Sequence, residues 1–161
     1  MKYLKLFENY TDDSEVLVTI GDYELTRGEL EKEHKRDITS YYGSFSEDNI
    51  QNALYTLHDI AGIYNKGGKL YRVVWLKDIN DLDKEDLGHH WVSYKSDVDN
   101  IVQTFSQYDY DEEYGGDPYV ITAETPPANV KIPFEYFKNL DECEVLVIDD
   151  KLLKFIGIEK Y

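Results

Sequence analysis

Leu70-Tyr71-Arg72-Val73-Val74-Trp75-Leu76 is an apolar run broken by one charge, and it limits the fold more than any other stretch. A run this short and this rich in β-branched and aromatic residues predicts a strand covered on both faces, in the manner of a central strand. Asn65-Lys66-Gly67-Gly68-Lys69 separates it from what precedes it. There, Ile50, Ala53, Leu54, Leu57 and Ala61 recur at the spacing of one helix face behind Ser46, a good N-cap. The chain therefore combines helix and strand, and their order decides its class.

Upstream, Glu15–Ile20, Gly21-Asp22 and Tyr23–Leu25 predict a hairpin with glycine in the turn. Thr26 and Glu29 have capping-box spacing, Leu25 and Leu30 a hydrophobic-staple spacing, and the helix they start is predicted to reach Ile38 or Tyr41. Downstream come an acidic connection from Asp78 to Asp86 and a short strand over Gly88–Tyr94. A helix opened by Ser96 follows, with Val98, Ile101, Val102 and Phe105 along one stripe. Gln107 to Asp117, bearing Tyr108, Tyr110 and Tyr114, has loop composition. Pro118–Glu124 is a strand ended by Pro126-Pro127, and Phe134–Phe137 is an aromatic segment. Cys143 to Ile158, with a turn at Asp149-Asp150, predicts a strand hairpin. A mainly helical first half followed by short strands with one inserted helix is an α+β pattern. No repeat or linker divides the 161 residues, so one domain is expected.

The formal net charge of −16 disfavours binding to nucleic acid or an anionic membrane, since phosphates are held by lysine and arginine, and it suits a partner with a basic surface. No run approaches the ~18 apolar residues of a membrane span, and Met1–Glu8 is too short an apolar stretch for a signal peptide. Cys143 has no second cysteine to bridge to. A cytoplasmic location is expected.

Near the C-terminus two carboxylates interrupt a strand pattern in Asp141-Glu142-Cys143-Glu144-Val145-Leu146-Val147. Alternation puts Glu142 and Glu144 on one face, Cys143, Val145 and Val147 on the other. Leu146 and Ile148 continue the glutamate face, which predicts acids at the mouth of a buried surface. Taken alone the pair says little, because Glu29-Leu30-Glu31-Lys32-Glu33 repeats the pattern on a helix. His89 and His90 are neighbours on a strand and point to opposite faces, so no metal site is expected there. Trp75 and Trp91 read as core or cleft wall.

The succession Leu70-Tyr71-Arg72, Gly88-His89-His90-Trp91-Val92-Ser93, helix, strand, Glu142-Cys143-Glu144-Val145-Leu146-Val147 resembles the ADP-ribosyltransferase superfamily. It is most similar to the toxin-like arginine-serine-glutamate branch, which is also common among bacteriophage proteins. The resemblance implies a split two-sheet β core over residues 67–161, preceded by a hairpin and helical part over residues 1–66. It further implies NAD as co-substrate and a protein target, modified on arginine, in the cytoplasm of a host cell if the source is a bacteriophage.

On that resemblance, Arg72 would hold the NAD phosphates, with Tyr71 and Trp91 beside the dinucleotide. Glu144 would be the catalytic glutamate bonded to the nicotinamide ribose, and Glu142 the glutamate that orients an arginine nucleophile. Phe134 to Leu140 would correspond to the target-recognition loop, and Gln107 to Asp117 to a loop over the nucleotide. The family's serine motif is altered here to His90-Trp91-Val92-Ser93. The supporting group is either His90 or Ser93, and the strand register decides which one reaches the cleft. The altered motif and the acidity together also suit a catalytically inactive relative that inhibits or adapts a basic, nucleic-acid-handling partner.

Overall fold

The computed structural model describes residues 12–106, 115–138 and 144–161. Its elements are mixed helix and strand, in agreement with an α+β class. Strands β1 (Val16–Ile20) and β2 (Tyr23–Thr26) form an antiparallel hairpin in which Gly21 takes φ +58°. A side chain there would be strained, so glycine suits the turn. Asn65 clamps the turn from outside, accepting from Gly21 N at 2.6 Å and donating to Thr19 O at 2.8 Å.

Thr26 accepts from Glu29 N at 3.3 Å, the N-cap half of the predicted box, and Leu25 and Leu30 are fully buried in one core, as the staple requires. The helix they start is not uniform. Its first turn, α1 (Arg27–Glu29), leads into a π-helical turn over Leu30–His34 and then α2 (Lys35–Tyr42). Ser46 caps α3 (Glu47–Lys66), accepting from Asn49 N at 3.3 Å. The α3 stripe of Ile50, Ala53, Leu54, Leu57 and Ala61 meets Val18, Leu25, Leu30 and Ile38 in a first core. Each large side chain withdrawn there contributes roughly 1.5–3 kcal/mol. Ile60, at the margin of the same stripe, packs instead into a second core with Leu70, Leu87, Trp91, Ile121 and Val145.

That second core lies under a three-stranded antiparallel sheet of β3 (Gly68–Leu76), β5 (Asp117–Thr125) and β7 (Lys154–Lys160), in the order β3-β5-β7. A separate pair joins β4 (His90–Trp91) to β6 (Val145–Leu146). Helix α4 (Asp97–Ser106) closes a third core from the other side, over Val73, Val92 and Val120.

Two expectations fail here for one physical reason. The apolar run of β3 predicts a central strand, yet β3 is an edge of its sheet and β5 is central. Its residues are apolar because both faces are covered, Leu70 by the second core and Val73 by the third, which says nothing about neighbours within the sheet plane. Likewise, the described part of the hairpin expected over Cys143 to Ile158, residues 144–158, does not pair with itself. β6 pairs with β4 and β7 with β5, and a 3-10 turn at Asp150–Leu152 carries the chain between sheets. Alternation reveals that a segment is a strand but not which strand it pairs with. Buried Asn129 fixes the crossing, accepting from Asp149 N at 3.0 Å and donating to Asp149 O at 2.9 Å.

The aromatic segment forms a 3-10 helix over Pro133–Lys138 and returns to the first half of the chain. Phe137 is 2% exposed and sits in the first core, where its ring stacks on His34 at 4.6 Å. Phe134 meets Tyr23 edge to face at 4.7 Å. Each half thus supplies a residue to the other's core, Phe137 in one direction and Ile60 in the other.

Candidate functional site

Strands β3 and β4 touch at one point and then part. Tyr71 N donates to Val92 O at 2.9 Å and Val92 N to Tyr71 O at 2.8 Å, an isolated bridge. Past it, among the described residues, no strand pairs with this side of β3. Alternation along an antiparallel strand turns the backbone groups of Val73 to the same open side as those of Tyr71. The gap is a cavity of about 460 Å³, within the size range of small-molecule sites. Val74, Trp75, Ile101 and Phe105 give it apolar walls, and Arg72, His90 and Glu144 supply the ionisable groups.

The Arg72 guanidinium is fixed from below. Leu87 is buried in the second core, and its carbonyl accepts from Arg72 Nη1. Gly88, with φ +76°, lies so close under the guanidinium that a Cβ would collide with it. Burial holds the guanidinium below its usual pKa range, opposed by the charges of Asp86 and Glu144. The group nevertheless stays charged. Among the described residues Arg72 makes no ion pair within bonding distance, so its remaining donors are available to an anion in the cavity.

Opposite it, His90 Nδ1 lies 2.9 Å from Glu144 Oε2. The two side chains are 65% and 39% exposed, so the contact contributes at most about 1 kcal/mol to folding. Its consequence is orientation. Trp91 and Val145 are a cross-strand pair in the core, which sends their neighbours His90 and Glu144 to the cavity side.

The same alternation separates the remaining sequence candidates. Ser93, an odd number of residues from His90, lines a different hollow beside α3, so of the two it is His90 that reaches the cleft. Trp91 is 1% exposed with its indole N–H donated to Gly88 O at 2.9 Å, and it is core rather than cleft. Tyr71 packs with the third core under α4. His89 turns away from His90 and meets Val147 O at 2.9 Å. On β6 and the residues after it Val145 and Val147 are buried, whereas on the glutamate face Leu146 is half-buried and Ile148 is 56% exposed. Of the two apolar residues expected to continue the glutamate face over buried surface, Leu146 is partly covered and Ile148 is not, and the apolar walls beside Glu144 come from β3 and α4 instead. Glu142 and the loop of Tyr108, Tyr110 and Tyr114 lie outside the described residues, as does the end of the aromatic segment at Leu140.

Ile101 and Phe105 read in sequence as one core stripe with Val98 and Val102, but they are only half-buried and turn part of their surface to the cavity. Gly88 carries one legible signal, a glycine opening a strand segment, which often marks a close approach by another group.

No family model matches the chain, and neither does any curated protein or solved structure.

Proposed function

We propose that this chain binds NAD in the cleft between β3 and the β4–β6 pair and transfers ADP-ribose from it to a protein, as ADP-ribosyltransferases of the arginine-serine-glutamate type do. The observation that carries this reading is the convergence of Arg72 from β3, His90 from β4 and Glu144 from the position just before β6 on one cavity of about 460 Å³. Each has chemistry suited to a step. Arg72 offers a planar cationic fork to the diphosphate. The apolar walls from Val74, Ile101 and Phe105 suit a nicotinamide ring.

Glu144 suits the bond-breaking step. Its carboxylate accepts from a ribose hydroxyl and stabilises the positive charge that grows on the ribose as the glycosidic carbon–nitrogen bond breaks. Nicotinamide departs with the bonding electrons, and the nucleophile of the target closes on the same carbon. His90 holds the Glu144 carboxylate in place, the task given to serine in the family. Arginine is the proposed acceptor, through Glu142.

Labelled NAD incubated with the protein and a host lysate provides the test. Label should pass to a protein with the wild type, and Glu144→Gln should fold normally and transfer none. Transfer that survives Glu144→Gln would overturn the proposal. The net charge of −16 favours a second reading, a non-catalytic relative that grips a basic partner. Salt-sensitive association with a basic protein, together with no NAD binding, would select it.

A further inference from the structure

On the far side of the β4–β6 pair from the NAD cleft is a second hollow, of about 170 Å³. It lies below the usual range for small-molecule sites, about 300–1,000 Å³, and is of a size for one long side chain. Its floor is apolar, made by Ile60 and Val145. Its rim carries Tyr55 and Tyr94, which are 72% and 47% exposed. Two carboxylates, Asp59 from α3 and Asp97 from the start of α4, stand over it with the Ser93 side chain.

We infer that this hollow is a docking site for an arginine side chain presented by a basic partner protein. The stem of an arginine would lie on Ile60 and Val145, while its planar head stacks on a tyrosine ring and forks to the carboxylates. One wall is already ordered for this, because the Tyr94 hydroxyl donates to Asp59 Oδ1 at 2.8 Å. Among the described residues neither Asp59 nor Asp97 has a cationic partner. Burial, and then the charge of Asp59, push the Asp97 carboxyl above its ordinary range, so the pair is crowded in a way that an incoming cation relieves. At longer range the net charge of −16 draws a basic partner in. Val145 borders this hollow and Glu144 borders the cleft, so an arginine side chain seated here does not enter the cleft.

The site is independent of the NAD reading and is tested separately. The probe is a capped Gly-Arg-Gly tripeptide titrated into the ¹⁵N-labelled full chain, with its citrulline counterpart as a neutral control of the same shape. Saturable shifts at Ser93, Tyr94 and Tyr55 are expected with arginine and none with citrulline. Asp59→Asn combined with Asp97→Asn should weaken binding by about tenfold or more, the scale of losing charged hydrogen bonds. Equal shifts with citrulline, or arginine shifts spread over the acidic surface without saturation, would overturn the site. Should the double variant fail to fold, the comparison of arginine with citrulline on the wild type still decides.

Discussion

Arg27 in the first half of the chain and Arg72 in the second are both withdrawn from solvent, and they are satisfied in opposite ways. Arg27 is buried under the hairpin, where Nε donates to Glu15 at 2.9 Å and the two terminal nitrogens fork to Glu47 at 3.2 and 3.3 Å. The hydrogen bond that it donates to Glu15 is the main cause that raises its pKa above the usual range. Arg72 instead gives one donor to the backbone at Leu87, makes no ion pair among the described residues, and faces an open cavity. A guanidinium whose donors are taken by carboxylates ties elements together. One that is desolvated and still has donors to spare is arranged for an anion that arrives later.

Substitution at the two arginines should therefore separate stability from binding. Arg27→Ala removes a buried stem and its charged hydrogen bonds, while Glu15 and Glu47, 52% and 57% exposed, stay solvated, so the expected cost in denaturant unfolding is about 2 kcal/mol. NAD affinity of the folded fraction should be unchanged. Arg72→Ala should cost about 1 kcal/mol, the scale of one hydrogen bond, and remove NAD binding. If Arg72→Ala proved the more destabilising, the contrast between the two sites would collapse.

Gly88→Ala sharpens the contrast with a change outside the guanidinium itself. Left-handed backbone at a residue other than glycine costs about 1–3 kcal/mol, and the new Cβ would displace the Arg72 head. Loss of NAD affinity close to that of Arg72→Ala is expected, with thermal unfolding as the control. Unchanged affinity would mean that the seat on Gly88 does not position Arg72.

The smallest effect concerns how the two halves are joined. Burial lowers the pKa of His34, and Lys138 adds to this, while Asp37, Glu29 and Glu33 oppose it. A histidine whose folded pKa lies below its unfolded value binds fewer protons in the folded state. Its contribution to stability is present in full above the ordinary histidine pKa of about 6.5 and is lost as pH falls below that value and through the lower folded pKa. His34→Phe keeps a ring against Phe137 and removes the titration, so denaturation midpoints between pH 7 and pH 5 should fall less in the variant. Equal slopes would show that His34 does not link the halves electrostatically.

Local order was legible in the sequence, whereas lateral order was not. The Thr26 and Ser46 caps, the Leu25–Leu30 staple and the α3 stripe follow from spacing within one element, and they appear as the spacing predicts. The neighbours of β3 and β6 depend on contacts distant in sequence, which is why a central strand and a hairpin were both expected and neither formed. The candidate cleft shows the same division. Parity along the strand required His90 and Ser93 to diverge, and they do. That Trp91 would fill the core, and that Ile101 and Phe105 would wall the cavity, depended on how β4 and α4 pack against β3.

Calorimetric titration of NAD into the wild type and into Arg72→Ala decides whether the cleft holds a dinucleotide through its arginine, with circular dichroism to show that both are folded. Saturable binding to the wild type, weakened at least about tenfold by Arg72→Ala, is the result the cleft predicts. Wild-type protein that binds no NAD at millimolar concentration, or equal affinity in the two proteins, would contradict NAD binding at Arg72.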